Sequence, residues 1–142
     1  MYNVLDIAEY IIKYCNEKNR TISNLKLQKL LYFVQAEFLV NKGKPCFSDP
    51  IEAWDFGPVV PTVYHKYLVY GSASIPYVED NNLIIFSKND KQLMNSVLDE
   101  ASTYSAAYLT KLTLYQLPWT ETYNPYKHNP IVTENILVYF DN

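Results

Sequence analysis

Residues 23–43 read SNLKLQKLLYFVQAEFLVNKG, and their periodicity decides the fold class. Ser23 is a residue type that caps a helix N-terminus, and Gly43 one that closes a C-terminus in the left-handed conformation. Between them Leu27, Leu30, Leu31, Val34 and Phe38 recur at the three-and-four spacing of one helical face. The stretch predicts a helix of about five turns, with an apolar stripe that needs neighbours. Lys26, Lys29 and Glu37 fall outside that stripe and are expected toward solvent.

On the N-terminal side a partner helix is legible. Asn3 is its cap, Asp6 an acidic first-turn residue, and Val4, Ile7, Ala8, Ile11, Ile12 and Cys15 form its buried face. The two helices are expected to pack as a pair. On the C-terminal side the pattern breaks at Pro45, Pro50, Pro58 and Pro61. Residues 51–56 alternate as a short strand would, and Gly57-Pro58 reads as the turn after it. Residues 83–86 form a second short apolar run, so the expected pairing is a two-stranded ribbon between these two runs. Pro61 starts a third helix carrying Val63, Tyr64, Tyr67 and Leu68, which ends at Gly71. Ser87, with Asp90 three residues on, starts a fourth helix, and a short one follows from about residue 105 to 114. Pro118-Trp119 is read as an interruption, 120–130 as loop, and a last helix starts at Thr133. The expectation is a single, mainly α domain over 1–142, compact, with about five to six helices and a small two-stranded β ribbon.

Composition narrows the function classes. Hydrophobic residues make up 49% and charged residues 19% of the 142, enough apolar surface for a core and too few charges for a disordered chain. The net charge of −3 argues against nucleic-acid binding driven by charge alone. No apolar run approaches the length of a membrane span, and Asp6 and Glu9 interrupt the N-terminal apolar stretch, so the expected compartment is the cytoplasm. Two cysteines without framework spacing, Cys15 and Cys46, fit a reduced protein better than a disulfide scaffold, although the count alone leaves a bridge open. Fourteen tyrosines are the unusual feature. Tyrosine supplies rigid amphipathic contact area and is enriched at protein interfaces, and it equally fills the boundary layer of a core.

A search for chemistry returns little. Three widely spaced glycines build no phosphate-cradling loop, and His65 and His128 have no metal-ligand spacing to each other or to a cysteine. Cys46, His65 and Asp55 can be written as a nucleophile set, but nothing in the local sequence supports it. Glu52 and Asp55 flank Trp54 and are expected on opposite faces of a strand, accepting from backbone N–H groups rather than sharing a proton. No catalytic residue, metal or cofactor is expected. Trp54 and Trp119 are expected in the core.

Three segments taken together carry a resemblance. The first runs from Ile22 to Phe33, with Gln35. The second is Ile51-Glu52-Ala53-Trp54-Asp55-Phe56-Gly57-Pro58-Val59-Val60-Pro61, continuing to Tyr64, Tyr67 and Tyr70-Gly71. The third is Leu109, Leu112-Thr113 and Pro118-Trp119. In this order they resemble the Panacea domain family, the SocA-like antitoxins of prophages and mobile elements. The resemblance implies a largely helical fold, an antitoxin role, a cognate toxin from the adjacent gene as partner, and, in one mode, delivery of that toxin to the ClpXP protease. One departure stands out: where the family has Thr-His in the third segment, this chain has Thr113-Leu114. The residues expected to contact a partner are Glu52, Trp54, Asp55, Tyr64 and Tyr67, on a ribbon-and-helix corner rich in aromatics. Two other readings are an enzyme using the turn after Trp54 and a nucleic-acid-binding regulator using the Lys26/Lys29 face.

Overall fold

The computed structural model describes residues 1–79 and 84–141. Among these, seven α-helices and one two-stranded antiparallel sheet make a mainly α fold: α1 (Val4–Glu17), α2 (Asn24–Lys42), β1 (Glu52–Trp54), β2 (Gly57–Val59), α3 (Pro61–Lys66), α4 (Lys88–Ala101), α5 (Ala106–Thr113), α6 (Leu117–Thr120) and α7 (Thr133–Phe140). A 3-10 turn, Leu68–Tyr70, follows α3.

The caps form where the sequence places them. The side chains of Asn3, Ser23, Ser87 and Ser105 each accept from a backbone N–H in the first turn of α1, α2, α4 and α5. Gly43 closes α2 at φ 68°, a conformation open to glycine at little steric cost. Helix α2 is the axis of the molecule, packed against α1, α3, β2, α4, α5 and α7.

That central position overturns one expectation. Lys26 and Lys29 do not face solvent; Lys29 is fully buried and Lys26 nearly so. A helix surrounded on most sides has little outer face, so its polar residues are drawn inward to satisfy backbone groups. Lys26 donates to the carbonyls of Thr21 and Ser102 at 2.9 and 2.6 Å. Gln35 joins α2 to the chain after it, accepting from Cys46 N–H and donating to the Phe47 carbonyl. Neither lysine is therefore available to a nucleic-acid surface.

The ribbon is also assembled differently. β1 pairs with β2, in the register Glu52–Val59, Ala53–Pro58 and Trp54–Gly57, and not with residues 83–86. Residues 84–86 carry no strand, and Leu83 lies outside the described residues. The turn is Asp55-Phe56, so Asp55 sits in it rather than across the strand from Glu52. A two-residue hairpin closes a far shorter loop than pairing across about thirty residues, and a two-stranded ribbon tolerates Pro58 because every strand in it is an edge. The other edge of β1 is covered by residues 129–131: Ala53 N–H donates to the Asn129 carbonyl at 2.9 Å and Ile131 N–H to the Ile51 carbonyl at 2.7 Å. Pro118-Trp119 does not interrupt the chain but lies in the single turn of α6, with the proline in its first turn. Leu68 is half exposed, because the chain tightens into the 3-10 turn and rotates it off the α3 face.

Tyrosine has a structural use along one seam. From α1 and the residues before it, Tyr2, Tyr10 and Tyr14 donate their hydroxyls to Asp90, Asn95 and Asp99 of α4. The partners advance in the same order along both helices, so the two run in the same direction. Phe86 fills the space between Tyr2 and Tyr10, edge-on to both rings. Asp90 also accepts from Lys42 at 2.7 Å, tying the end of α2 to the start of α4. Cys15 and Cys46 are both free and buried.

Candidate functional site: the ribbon corner

The three motif segments meet around the hairpin. Lys29, in the second turn of α2, reaches the β2 strand and donates to the Pro58 carbonyl at 2.9 Å, with its ammonium 5.4 Å from the centre of the Phe56 ring. Burial without a carboxylate partner pushes its pKa down to about 7. Gln28, one residue earlier, accepts from Val60 N–H at 2.9 Å and donates to Asn24, which in turn holds the Tyr64 carbonyl.

Gly57 is the contact between the segments. Its φ is 105°, and a Cβ there would lie 2.8 Å from Thr113 Oγ1 and 3.0 Å from Lys29 Cε. Only glycine both adopts that backbone and leaves room for the lysine stem. From the third segment, Trp119 donates its indole N–H to the Trp54 carbonyl at 2.8 Å, and Gln116 accepts from the buried Tyr32 hydroxyl at 2.8 Å. Much of the motif is therefore a polar clamp that holds the hairpin against α2, α5 and α6.

The clamp presents an aromatic corner. Trp54 is nearly buried, with His128 stacked on it at 4.3 Å between ring centres and Tyr64 and Phe56 edge-on at 5.0 and 5.7 Å. Its indole N–H donates to Glu52 at 2.9 Å. Trp119 stacks on Tyr123 at 4.5 Å, and the Tyr123 hydroxyl donates to Asp55. Both carboxylates thus accept from side chains, not from the backbone N–H groups that the sequence reading assigned them. Of the five residues expected at a partner surface, Glu52, Trp54 and Tyr64 converge directly and Asp55 joins through Tyr123.

Tyr67 does not join them. It is buried on the α1 side of α3, its ring 6.4 Å from that of Tyr70, and burial pushes its hydroxyl pKa up to about 12. Nearby, Lys66 pairs with Glu9 of α1 at 3.7 Å. Phe56, Trp119, Tyr123 and His128 belong to the corner and were not assigned to it from sequence. Trp119 had a signal, its place in the third motif segment; His128 had none, since it arrives by the strand-like run at 129–131 that the sequence presents as loop.

The Cys46, His65 and Asp55 set does not assemble. Cys46 is buried, and desolvation pushes its thiol up to about 12, the opposite of an activated nucleophile. Its neighbours are Gln35 and Tyr2, while His65 is exposed on α3 and Asp55 is occupied by Tyr123. Among the described residues, no helix is long and apolar enough to cross a membrane.

Residues 27–120 match the family described as Antitoxin SocA-like, Panacea domain. The chain is also similar to Antitoxin SocA of Caulobacter vibrioides (strain NA1000 / CB15N), 37% identical over 83 residues, which is 54% of this chain and 44% of that protein. The match thus spans less than half of the relative's length. No solved structure matches. The family match covers α2 almost whole, the ribbon, α3, α4, α5 and α6, so it contains Gln28, Lys29, Gly57, Thr113 and Trp119 of the clamp. This chain belongs to the SocA-like antitoxin, Panacea domain, family.

Proposed function

We propose that this protein is an antitoxin that neutralises a cognate toxin protein encoded by the adjacent gene, and that it acts by binding rather than by catalysis. The observation that carries the reading is the family match over residues 27–120, whose motif residues build one clamped hairpin and not an array of exposed reactive groups. The proposed contact surface is the corner formed by Glu52, Trp54, Asp55 and Tyr64, with Phe56 and His128 beside them. Aromatic groups held rigid before binding lose little conformational entropy on association, which suits them as interface anchors. Tyr67, buried on the α1 side of α3, is not part of this surface. Neutralisation takes one of two forms: the toxin is masked in a stable complex, or it is handed to the ClpXP protease. Both place the protein in the cytoplasm.

The test is co-expression with the product of the adjacent gene, scoring growth and co-purification. Rescue with a stable complex supports masking, and rescue that disappears in cells without ClpXP supports delivery. A neighbour that is harmless alone and never co-purifies would sink the antitoxin reading. Exchange of Tyr64 for Ala is expected to weaken rescue at least tenfold in titrated expression while leaving the unfolding transition cooperative.

A further inference from the structure

Away from the ribbon corner, α2, α4, α5 and the end of α7 leave a groove of about 430 Å³. Its floor is apolar, including Phe33, Ala36, Val97, Leu109 and Phe140, and its rim carries Tyr104, Tyr108 and Leu112. Tyr108 and Leu112 are 50% and 38% exposed, so the apolar surface continues past the cavity onto the outer face of α5. A cavity sized for a small ligand ordinarily closes over it; here the exposed Tyr108 and Leu112 leave the α5 side open to solvent.

The groove has a sign. Two charged residues line it, Glu37 from α2 and Glu100 from α4, and both are carboxylates. Neither is in a salt bridge among the described residues: Glu37 accepts from Asn41 at 2.7 Å and Glu100 from the Tyr104 hydroxyl at 2.8 Å. Hydrogen bonds from neutral groups orient these carboxylates without neutralising them. An apolar trough flanked by two uncompensated negative charges is complementary to a helix with an apolar stripe and Lys or Arg beside it.

We infer that this groove seats a basic amphipathic helix of a partner protein. The inference rests on the antitoxin reading only in naming the toxin as the source of that helix; the groove's preference stands on its own chemistry. The apolar stripe of the helix lies on Phe33, Leu109 and Phe140, and its cations reach Glu37 and Glu100.

Two designed amphipathic peptides with the same leucine stripe, one flanked by Lys and one by Glu, are titrated against the isotopically labelled full chain by NMR. The Lys peptide is expected to bind at least tenfold tighter, with shifts centred on Phe33, Tyr104 and Leu112. The double variant Glu37→Lys, Glu100→Lys is expected to reverse the preference, and Leu112→Glu to weaken the Lys peptide at least tenfold. Equal affinity for both peptides, shifts elsewhere, or no reversal would overturn the inference. So would a wild-type dimer in sedimentation that Leu112→Glu dissolves, since the groove would then seat a second copy of this chain. With the toxin itself, a complex that survives Leu112→Glu unchanged removes the groove from toxin binding and leaves the antitoxin reading standing. Failure of the wild type to bind toxin removes the antitoxin reading, and the peptide titration still decides the groove.

Discussion

The α2–ribbon clamp and the α1–α4 seam do the same mechanical job with opposite physics. Both attach a peripheral element to the core through polar groups. At the clamp those groups are dehydrated: Lys29 and Gln28 are fully buried, and the hairpin backbone touches the lysine stem at Gly57. At the seam, Tyr2, Tyr10 and Asn95 are half-buried and the bonds cross between helix edges, with Asp90 the one buried acceptor among these two bonds. Buried polar contacts are all-or-nothing, because a lost partner leaves an unsatisfied group with no water to replace it, whereas edge contacts fail one at a time and at modest cost.

The sharpest way to break that contrast is Gly57→Ala. The added Cβ meets Thr113 and Lys29 inside contact distance at a backbone angle that alanine rarely adopts. Strain and overpacking together are expected to cost about 3 kcal/mol or more, read as a lower urea midpoint. A loss under about 1 kcal/mol would show that the clamp yields, and the distinction from the seam would fail.

Lys29→Met sharpens the contrast through pH. The folded pKa of Lys29, about 7, lies below that of the unfolded chain, near 10.4. Between these values the unfolded state holds a proton that the native state does not, so this group makes stability rise with pH from about 7 upward. Above about pH 8.5 the unfolded-state thiols of Cys15 and Cys46 titrate while their raised native values hold them protonated, which acts the other way. Measured from pH 7 to 8.5, the stability of the wild type is expected to gain on that of the methionine variant by about 2 kcal/mol. Parallel curves would mean that Lys29 keeps its charge in the fold.

At the seam, Asp90→Asn is expected to cost about 1.5 kcal/mol near neutral pH, by weakening the bonds from Lys42 and Tyr2. The carboxyl of Asp90 is held below its ordinary range by Lys42, Tyr2 and Ser87, although its desolvation pulls the other way. Its contribution is therefore present above about pH 4 and is lost as pH falls through the folded value, so the variant should lose part of the acid limb of unfolding. The smallest effect expected is for Tyr10→Phe, about 0.5–1 kcal/mol, from the single bond to Asn95 at 2.7 Å. A loss as large as that of Gly57→Ala would make the seam a second clamp.

These regions also mark what was legible beforehand. The helices could be read because their caps and three-and-four spacing are local: Asn3, Ser23 and Ser87 satisfy N–H groups two or three residues away. Lys29 was misplaced for the complementary reason. A lysine between apolar neighbours on a helix reads as its wet side, and nothing within a turn shows that a hairpin will cover it. The corner was half legible: Glu52, Trp54 and Asp55 are adjacent in sequence, but His128 and Tyr123 come from more than sixty residues away.

The amino-acid sequence by itself determined most of the helical elements and, through three motif segments, the family. Periodicity, capping and turn chemistry act over a few residues, so they survive in a one-dimensional record. Only the tertiary structure decided which polar residues are buried, which tyrosines are spent on α4 and which aromatics face outward. Each of those outcomes depends on what packs over a residue from far along the chain. For a helix packed on most of its sides, as α2 is, surrounding matters more than periodicity, and a lysine expected toward solvent became fully buried.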